Sequence, residues 1–354
     1  MEIKPLVIGN LSARLPLIQG GMGVGVSLSK LASAVANEGG IGIISAAQPG
    51  FNEIDFDTNT KEANIRALKN EIKKAKEMAP GGIIGVNIMV AMRDYESFVQ
   101  ASIEAKADII ISGAGLPINL PKLVKGSDIK IAPIVSSGKA AKVICKMWKE
   151  RYEYLPDFIV VEGPKAGGHL GFKMEVLKDE KEETLNKIVT DVINVAESYK
   201  EFKDIPIIAA GGIYTGNDIA EFLKLGAAGV QMATRFITTE ECDADIEFKN
   251  EFLKCSKEDI AYINSPVGMP GRAIKNKFIE DAESGKIKVT KCYGCVKNCN
   301  PKTTSYCITK ALINSVKGDV DNGLIFSGSN GYKADKIVKV KELVNELVNE
   351  IKEA

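Results

Sequence analysis

Eight short runs rich in Ile and Val recur through the first two thirds of the chain, separated by segments of helical periodicity. The runs fall at 15–19, 42–45, 83–87, 109–112, 131–135, 158–161, 207–209 and 229–232. They are apolar without alternation, which is how parallel strands covered on both faces read. Amphipathic segments at 27–38, 61–78, 95–105, 139–148, 184–199 and 217–225 lie between them, and Gly39 and Gly226 supply C-cap signals. Eight strands alternating with helices predict an α/β fold, a TIM (β/α)8 barrel, over residues 1–238. A doubly wound open sheet is the competing arrangement. It is disfavoured because no G-x-G-x-x-G segment opens a strand–helix turn with an acidic residue about 20 positions on. Residues 239–354 carry more Lys, Glu, Asn and Cys, with helical periodicity at 247–254, 276–284, 309–316 and 339–352. They are expected to form a mainly helical C-terminal extension over the barrel mouth.

Composition narrows the partners. Lys plus Arg and Asp plus Glu each total 46, so the net charge of zero gives no support for a nucleic-acid partner. No apolar run reaches the length of a membrane span, and the opening MEIKP lacks a signal-peptide core, so a cytoplasmic protein is expected. Seven cysteines in 354 residues do not point to a disulfide framework.

The strand ends gather glycine and hydrogen-bonding residues: Gln19 to Gly23, Asn87, Ser112 to Gly115, Ser136 to Gly138, Glu162 to His169, Ala210 to Gly212, and Gln231. In a barrel these ends meet at the catalytic mouth. His169 is the chain's only histidine and follows the run 158–161 in a glycine-rich loop. That placement suits a proton handler; a histidine that only ties down the loop is the alternative. Glu162 is a second candidate, to orient the histidine or polarise the site, unless it simply pairs with a lysine.

Two segments agree on a phosphate site, 207–213 (IIAAGGI) and 229–235 (GVQMATR). Barrels bind phosphate after strands seven and eight, on backbone N–H groups and a helix start. Gly211 and Gly212 allow close backbone approach, while Ala233 and Thr234 offer amides and a hydroxyl. An ordinary turn capped at Thr215 or Asn217 is the alternative. The phosphate would belong to a substrate or to flavin mononucleotide (FMN), since an Asn, a Gln and glycine loops suit the polar edge and flat ring of a flavin.

With these motifs in order, the chain resembles the nitronate monooxygenase (2-nitropropane dioxygenase) family and the related flavin-dependent enoyl-ACP reductases. The resemblance rests on 16–23 (PLIQGGMG), 85–87 (GVN), 162–169 (EGPKAGGH), 210–213 (AGGI) and 226–236 (GAAGVQMATRF), covering the barrel fully and the remainder loosely. It implies a TIM barrel with a smaller helical domain and an FMN cofactor. It places Gly21, Met22 and Gly23 along the flavin ring, Asn87 on its polar edge, and Ala166, Gly167 and Gly168 beside it. Gly211, Gly212, Gln231, Met232, Ala233 and Thr234 would hold the ribityl phosphate, and His169 would be catalytic. Lys165 departs from the pattern, because glutamate is frequent there in these relatives; it would alter substrate choice or face solvent. The implied reaction is oxidation of alkyl nitronates by oxygen. The alternative is NAD(P)H-dependent reduction of an enoyl thioester with the same residues. A non-enzymatic flavin- or phosphate-binding regulatory barrel is a third reading, which the presence of His169 disfavours.

Cys292, Cys295, Cys299 and Cys307 follow a C-x2-C-x3-C-x7-C spacing. Four thiolates could hold a [4Fe–4S] cluster or a structural zinc; free thiols in a reducing cytosol are the alternative. A cluster would favour a reductase over an oxygenase. Cys145, Cys242 and Cys255 read as isolated structural thiols. The small residues of 326–331 (FSGSNG) either return to the mouth or form a surface turn. The apolar stripe of the last helix docks on the barrel or on a second subunit, making a homodimer a possible assembly.

Overall fold

The computed structural model describes residues 1–178 and 184–354. Eight parallel strands, Leu17–Gln19, Ile41–Ser45, Ile83–Met89, Ile109–Gly113, Lys130–Val135, Ile159–Glu162, Ile207–Ala210 and Gly229–Met232, form a closed barrel. Closure is made by the last strand against the first, with Val230 opposite Leu17. Ile18, Ile41, Ile43, Ile109, Ile111, Val160 and Ile208 fill the barrel interior, while Ile44, Ile84, Ile110, Val161 and Ala209 pack outward under the helices. Both faces are therefore apolar, and the runs show no alternation for that reason.

An antiparallel hairpin, Leu6–Ile8 with Leu11–Ala13, precedes the barrel. Its Leu6 and Ile8 join the interior cluster beside Ile41, Ile83 and Ile109, the first residues of their strands, and so close the end opposite the mouth. The Gly9-Asn10 turn, with Gly9 at φ +58, is a hairpin signal in the sequence. Helices Ser29–Asn37, Thr60–Met78, Tyr95–Glu104, Gly138–Tyr152, Leu185–Glu197 and Gly216–Leu225 ring the barrel close to their expected positions. The connection after the fourth strand is a single turn, Leu120–Leu123.

The eighth strand is followed only by one helical turn, Thr234–Ile237. The ring is completed by the last helix, Val340–Glu353, which packs against both Gly216–Leu225 and Ser29–Asn37. It buries Val340, Leu343, Val344, Leu347 and Ile351 there. The residues between are thus an insertion between the eighth strand and the eighth helix, and the division expected at 238 does not separate the final helix from the barrel.

The insertion covers the mouth. It holds helices Ile246–Lys254, Lys277–Glu283 and Ile308–Val316, and also strands Ile260–Asn264 and Pro270–Ile274. The two strands pair with each other and with Gly168–His169, making a three-stranded antiparallel sheet. Helical periodicity alone did not anticipate it, because the strands are short and Pro270 and Gly271 weaken the β signal. The insertion also caps the first ring helix, whose own N-cap, Leu28, has no side-chain oxygen. Asp243 accepts from the backbone N–H groups of Leu28 (2.8 Å) and Leu31 (3.2 Å) instead. Among the described residues no helix is long and apolar enough to cross a membrane.

Candidate active site

The strand ends and the insertion enclose a cavity of ≈ 480 Å³, within the usual range for a small-molecule site, about 300–1,000 Å³. Gly21, Met22, Gly23, Asn87, Glu162, Ala166, Gly167, Gly168, His169, Gly211, Gly212, Gln231, Met232, Ala233 and Thr234 all line it. Every candidate active-site and flavin residue named from the sequence is therefore brought to one place. The insertion adds Phe248, Met269, Leu312, Phe326, Ser327, Gly328 and Asn330. Lys165 is exposed and turned away from the cavity, with its carbonyl accepting from Ser329 N at 3.1 Å.

His169 is fixed from the insertion side. Its backbone is a strand residue opposite Gly271. Its Nε2 lies 2.7 Å from Ser265 Oγ, and Phe326 meets the ring edge-on at 5.0 Å between centroids. Burial pulls its pKa down to about 4, so the ring is neutral at pH 7. Val267 N donates to Ser265 Oγ at 3.4 Å. The Ser265 hydroxyl still has both a hydrogen to donate and a lone pair to accept, so it fixes the ring's orientation through Nε2 in either tautomer. Replacing Ser265 with alanine should release the ring and lower kcat about tenfold, the cost of roughly one hydrogen bond. As the chain has one histidine, its ¹⁵N spectrum reports directly; unchanged nitrogen shifts and kcat would remove Ser265 from this role.

Glu162 ends the sixth strand, opposite Ala210. Burial alone pushes its pKa up to about 7, with no cation or hydrogen bond acting against it. Among the described residues no lysine pairs with it, a pairing the sequence had allowed. Its open side faces the cavity rather than bulk water, which is why a partly accessible carboxyl behaves as a buried one.

The glycines leave room that side chains would fill. A Cβ at Gly21 would stand 2.5 Å from Asn87 Cβ, and one at Gly23 2.5 Å from Ala47 Cβ. Gly211 and Gly212 adopt φ +96 and +86, where glycine is favoured, and a Cβ at Gly212 would stand 2.8 Å from Lys165 Cβ. The 326–331 segment returns to this end of the cavity: Asn330 Nδ2 donates to Gly212 O at 2.6 Å, and Gly328 N donates to Thr234 Oγ1 at 3.0 Å. Gln231 Oε1 is buried without a protein partner. An orphaned acceptor on a glycine-lined wall is what a hydrogen-bonding planar ligand would complete.

Three supporting residues were not read from the sequence. Ser265 and Met269 lie in the turn between the insertion's two strands. Buried Arg272 donates to Ala166 O and to Tyr262 OH (2.7 Å), and so ties down the loop before His169. Only the lone arginine inside an apolar stretch hinted at Arg272.

Cys292, Cys295, Cys299 and Cys307 line a second, small cavity. All are free thiols, as are Cys145, Cys242 and Cys255. Among the described residues no three His, Cys, Asp or Glu side chains are gathered so as to hold a single metal ion as they stand.

A closed parallel barrel with this cavity at its mouth defines a TIM barrel with a small-molecule site. The nitronate monooxygenase family model matches residues 4–350, and the chain belongs to that family. A probable nitronate monooxygenase of Bacillus subtilis is 25% identical, over 95% of both chains. A 5-hydroxy-7a-methyl-1-oxo-octahydro-1H-indene-4-carboxyl-CoA dehydrogenase of Rhodococcus jostii is 28% identical over 77% of this chain. The chain spans 66% of that relative's length, just under two thirds. Among solved structures, FabK from Thermotoga maritima is similar with a TM-score of 0.72 and 26% identity, covering 96% of this chain and 93% of its own.

Proposed function

We propose that the protein is an FMN-dependent oxidoreductase that oxidises alkyl nitronates with oxygen. The observation that carries this reading is that the chain's only histidine stands on the wall of the same cavity that the glycine segments line. Gly21, Met22, Gly23, Asn87, Ala166, Gly167 and Gly168 would hold the ring. Gly211, Gly212, Gln231, Met232, Ala233 and Thr234 would hold the ribityl phosphate, with Gln231 Oε1 free to accept a ribityl hydroxyl. Bound FMN would supply the redox chemistry, taking electrons from the donor and passing them to the acceptor.

The residues supply binding and proton handling. Neutral His169 can take the α-proton of a nitroalkane, or donate its N–H to a nitronate oxygen. Glu162 keeps its proton up to about pH 7 and can donate it to the anion as a hydrogen bond. Once ionised, it repels the anion. The raised pKa therefore gives a sign: kcat/KM for a nitronate should fall as pH rises through about 7. Glu162→Gln, which stays neutral, should flatten that fall. A pH profile unchanged in the variant, followed by oxygen uptake, would assign the titration to another group.

The likeness to FabK along most of the chain supports a second reading, NAD(P)H-dependent reduction of an enoyl thioester. Here His169 and Glu162 would polarise the thioester carbonyl and deliver the α-proton. Oxygen uptake with propyl nitronate supports the first reading. Nicotinamide oxidation with a crotonyl thioester, and no reaction with the nitronate, would replace it with the second. No turnover of either would leave the binding-barrel reading.

A further inference from the structure

The flavin chemistry makes no use of the four late cysteines, yet they are arranged together. The segment around them has little regular structure but is pinned to the barrel: Val296 bridges Met92, and Arg93 N donates to Cys295 O at 3.2 Å. Gly294, at φ +61, turns the chain so that its N–H points at Cys292 Sγ, 3.4 Å away. An N–H aimed at sulfur can donate to a metal-bound cysteine. Cys307 stands at the N-terminus of the nine-residue helix Ile308–Val316, whose dipole favours a thiolate. Cys292, Cys295, Cys299 and Cys307 all border the one small cavity. Arg93 and Lys291 line the same cavity and can offset negative charge.

We propose that Cys292, Cys295, Cys299 and Cys307 ligate a [4Fe–4S] cluster. Zinc would draw four sulfurs to about 2.3 Å from one centre. These thiols share a cavity without being gathered around a single ion. A four-iron cluster binds each thiolate to a different iron, so its ligands stand wider apart. No helix or strand spans 286–306, so the segment that carries the first three cysteines is held by its contacts with the barrel rather than by regular structure. The helix that begins after Cys307 lines the flavin cavity through Leu312. Five residues at 1.5 Å each put Cys307 and Leu312 about 7.5 Å apart along the helix axis.

The test is anaerobic reconstitution of the full chain with ferrous iron and sulfide. The expected product has broad visible absorption beyond that of flavin, with iron and acid-labile sulfide in equal amounts. Cys295→Ser and Cys307→Ser should each lose that absorption while flavin content stays, and Cys255→Ser should keep it. The wild-type chain alone can overturn the proposal, by staying free of iron and sulfide or by taking up zinc without sulfide. A cluster that persists in the Cys295→Ser/Cys307→Ser double variant would overturn the ligand assignment.

Discussion

His169→Ala is expected to lower turnover about 10²–10⁴-fold while the protein keeps its flavin, the usual loss when a positioned acid–base group is removed. The split between the two readouts follows from the geometry. The imidazole lines the cavity but is anchored from the insertion, by Ser265 and by the edge of Phe326. Of the segments that would meet the flavin, only Ala166–Gly168 adjoins His169; the others follow different barrel strands. The strand pairing of His169 with Gly271 uses backbone, which alanine preserves. Flavin absorbance of the purified variant and its kcat, measured side by side, check this. Equal turnover in wild type and variant would remove His169 from the chemistry; loss of flavin would make it a binding residue.

Gly212→Val should weaken FMN binding about 10–100-fold, or roughly 1.4–2.8 kcal/mol. Two effects combine. A side chain at φ +86 costs about 1–3 kcal/mol. Its Cβ would also meet Lys165 Cβ at 2.8 Å and push the loop that Asn330 holds through the Gly212 carbonyl. The backbone that would approach the phosphate moves with it. Gly81→Val is the matched control, with φ +80 and nothing within 4 Å of the new Cβ. It should lose stability but titrate with FMN as wild type does. Equal FMN affinity in the Gly212 variant would contradict the phosphate assignment.

The barrel was legible because its strands are buried on both faces, so Ile109 to Ile111 read as one apolar run although they point alternately inward and outward. The cavity wall was legible because glycine at a strand end has few other uses, and His169 has no sequence competitor. What stayed hidden depends on partners far along the chain. Ser265 meets His169 across 96 residues, and Asp243 caps the first helix across 215. No local pattern encodes either contact. The last helix reads as a plain amphipathic segment; only its packing between the first and seventh ring helices shows that the preceding stretch is an insertion. Glu162 was legible as a polar strand end, but its raised proton affinity comes from burial at the cavity wall, which sequence does not record.

On the proposed function, a flavin held in this cavity would be reduced by a nitronate beside His169. This is tested most directly by mixing the purified protein with propyl nitronate under anaerobic conditions and following the flavin absorption. The account predicts that the absorption bleaches, returns on admitting oxygen, and bleaches far more slowly in His169→Ala. A spectrum that ignores the nitronate and bleaches with NADH or NADPH would contradict it.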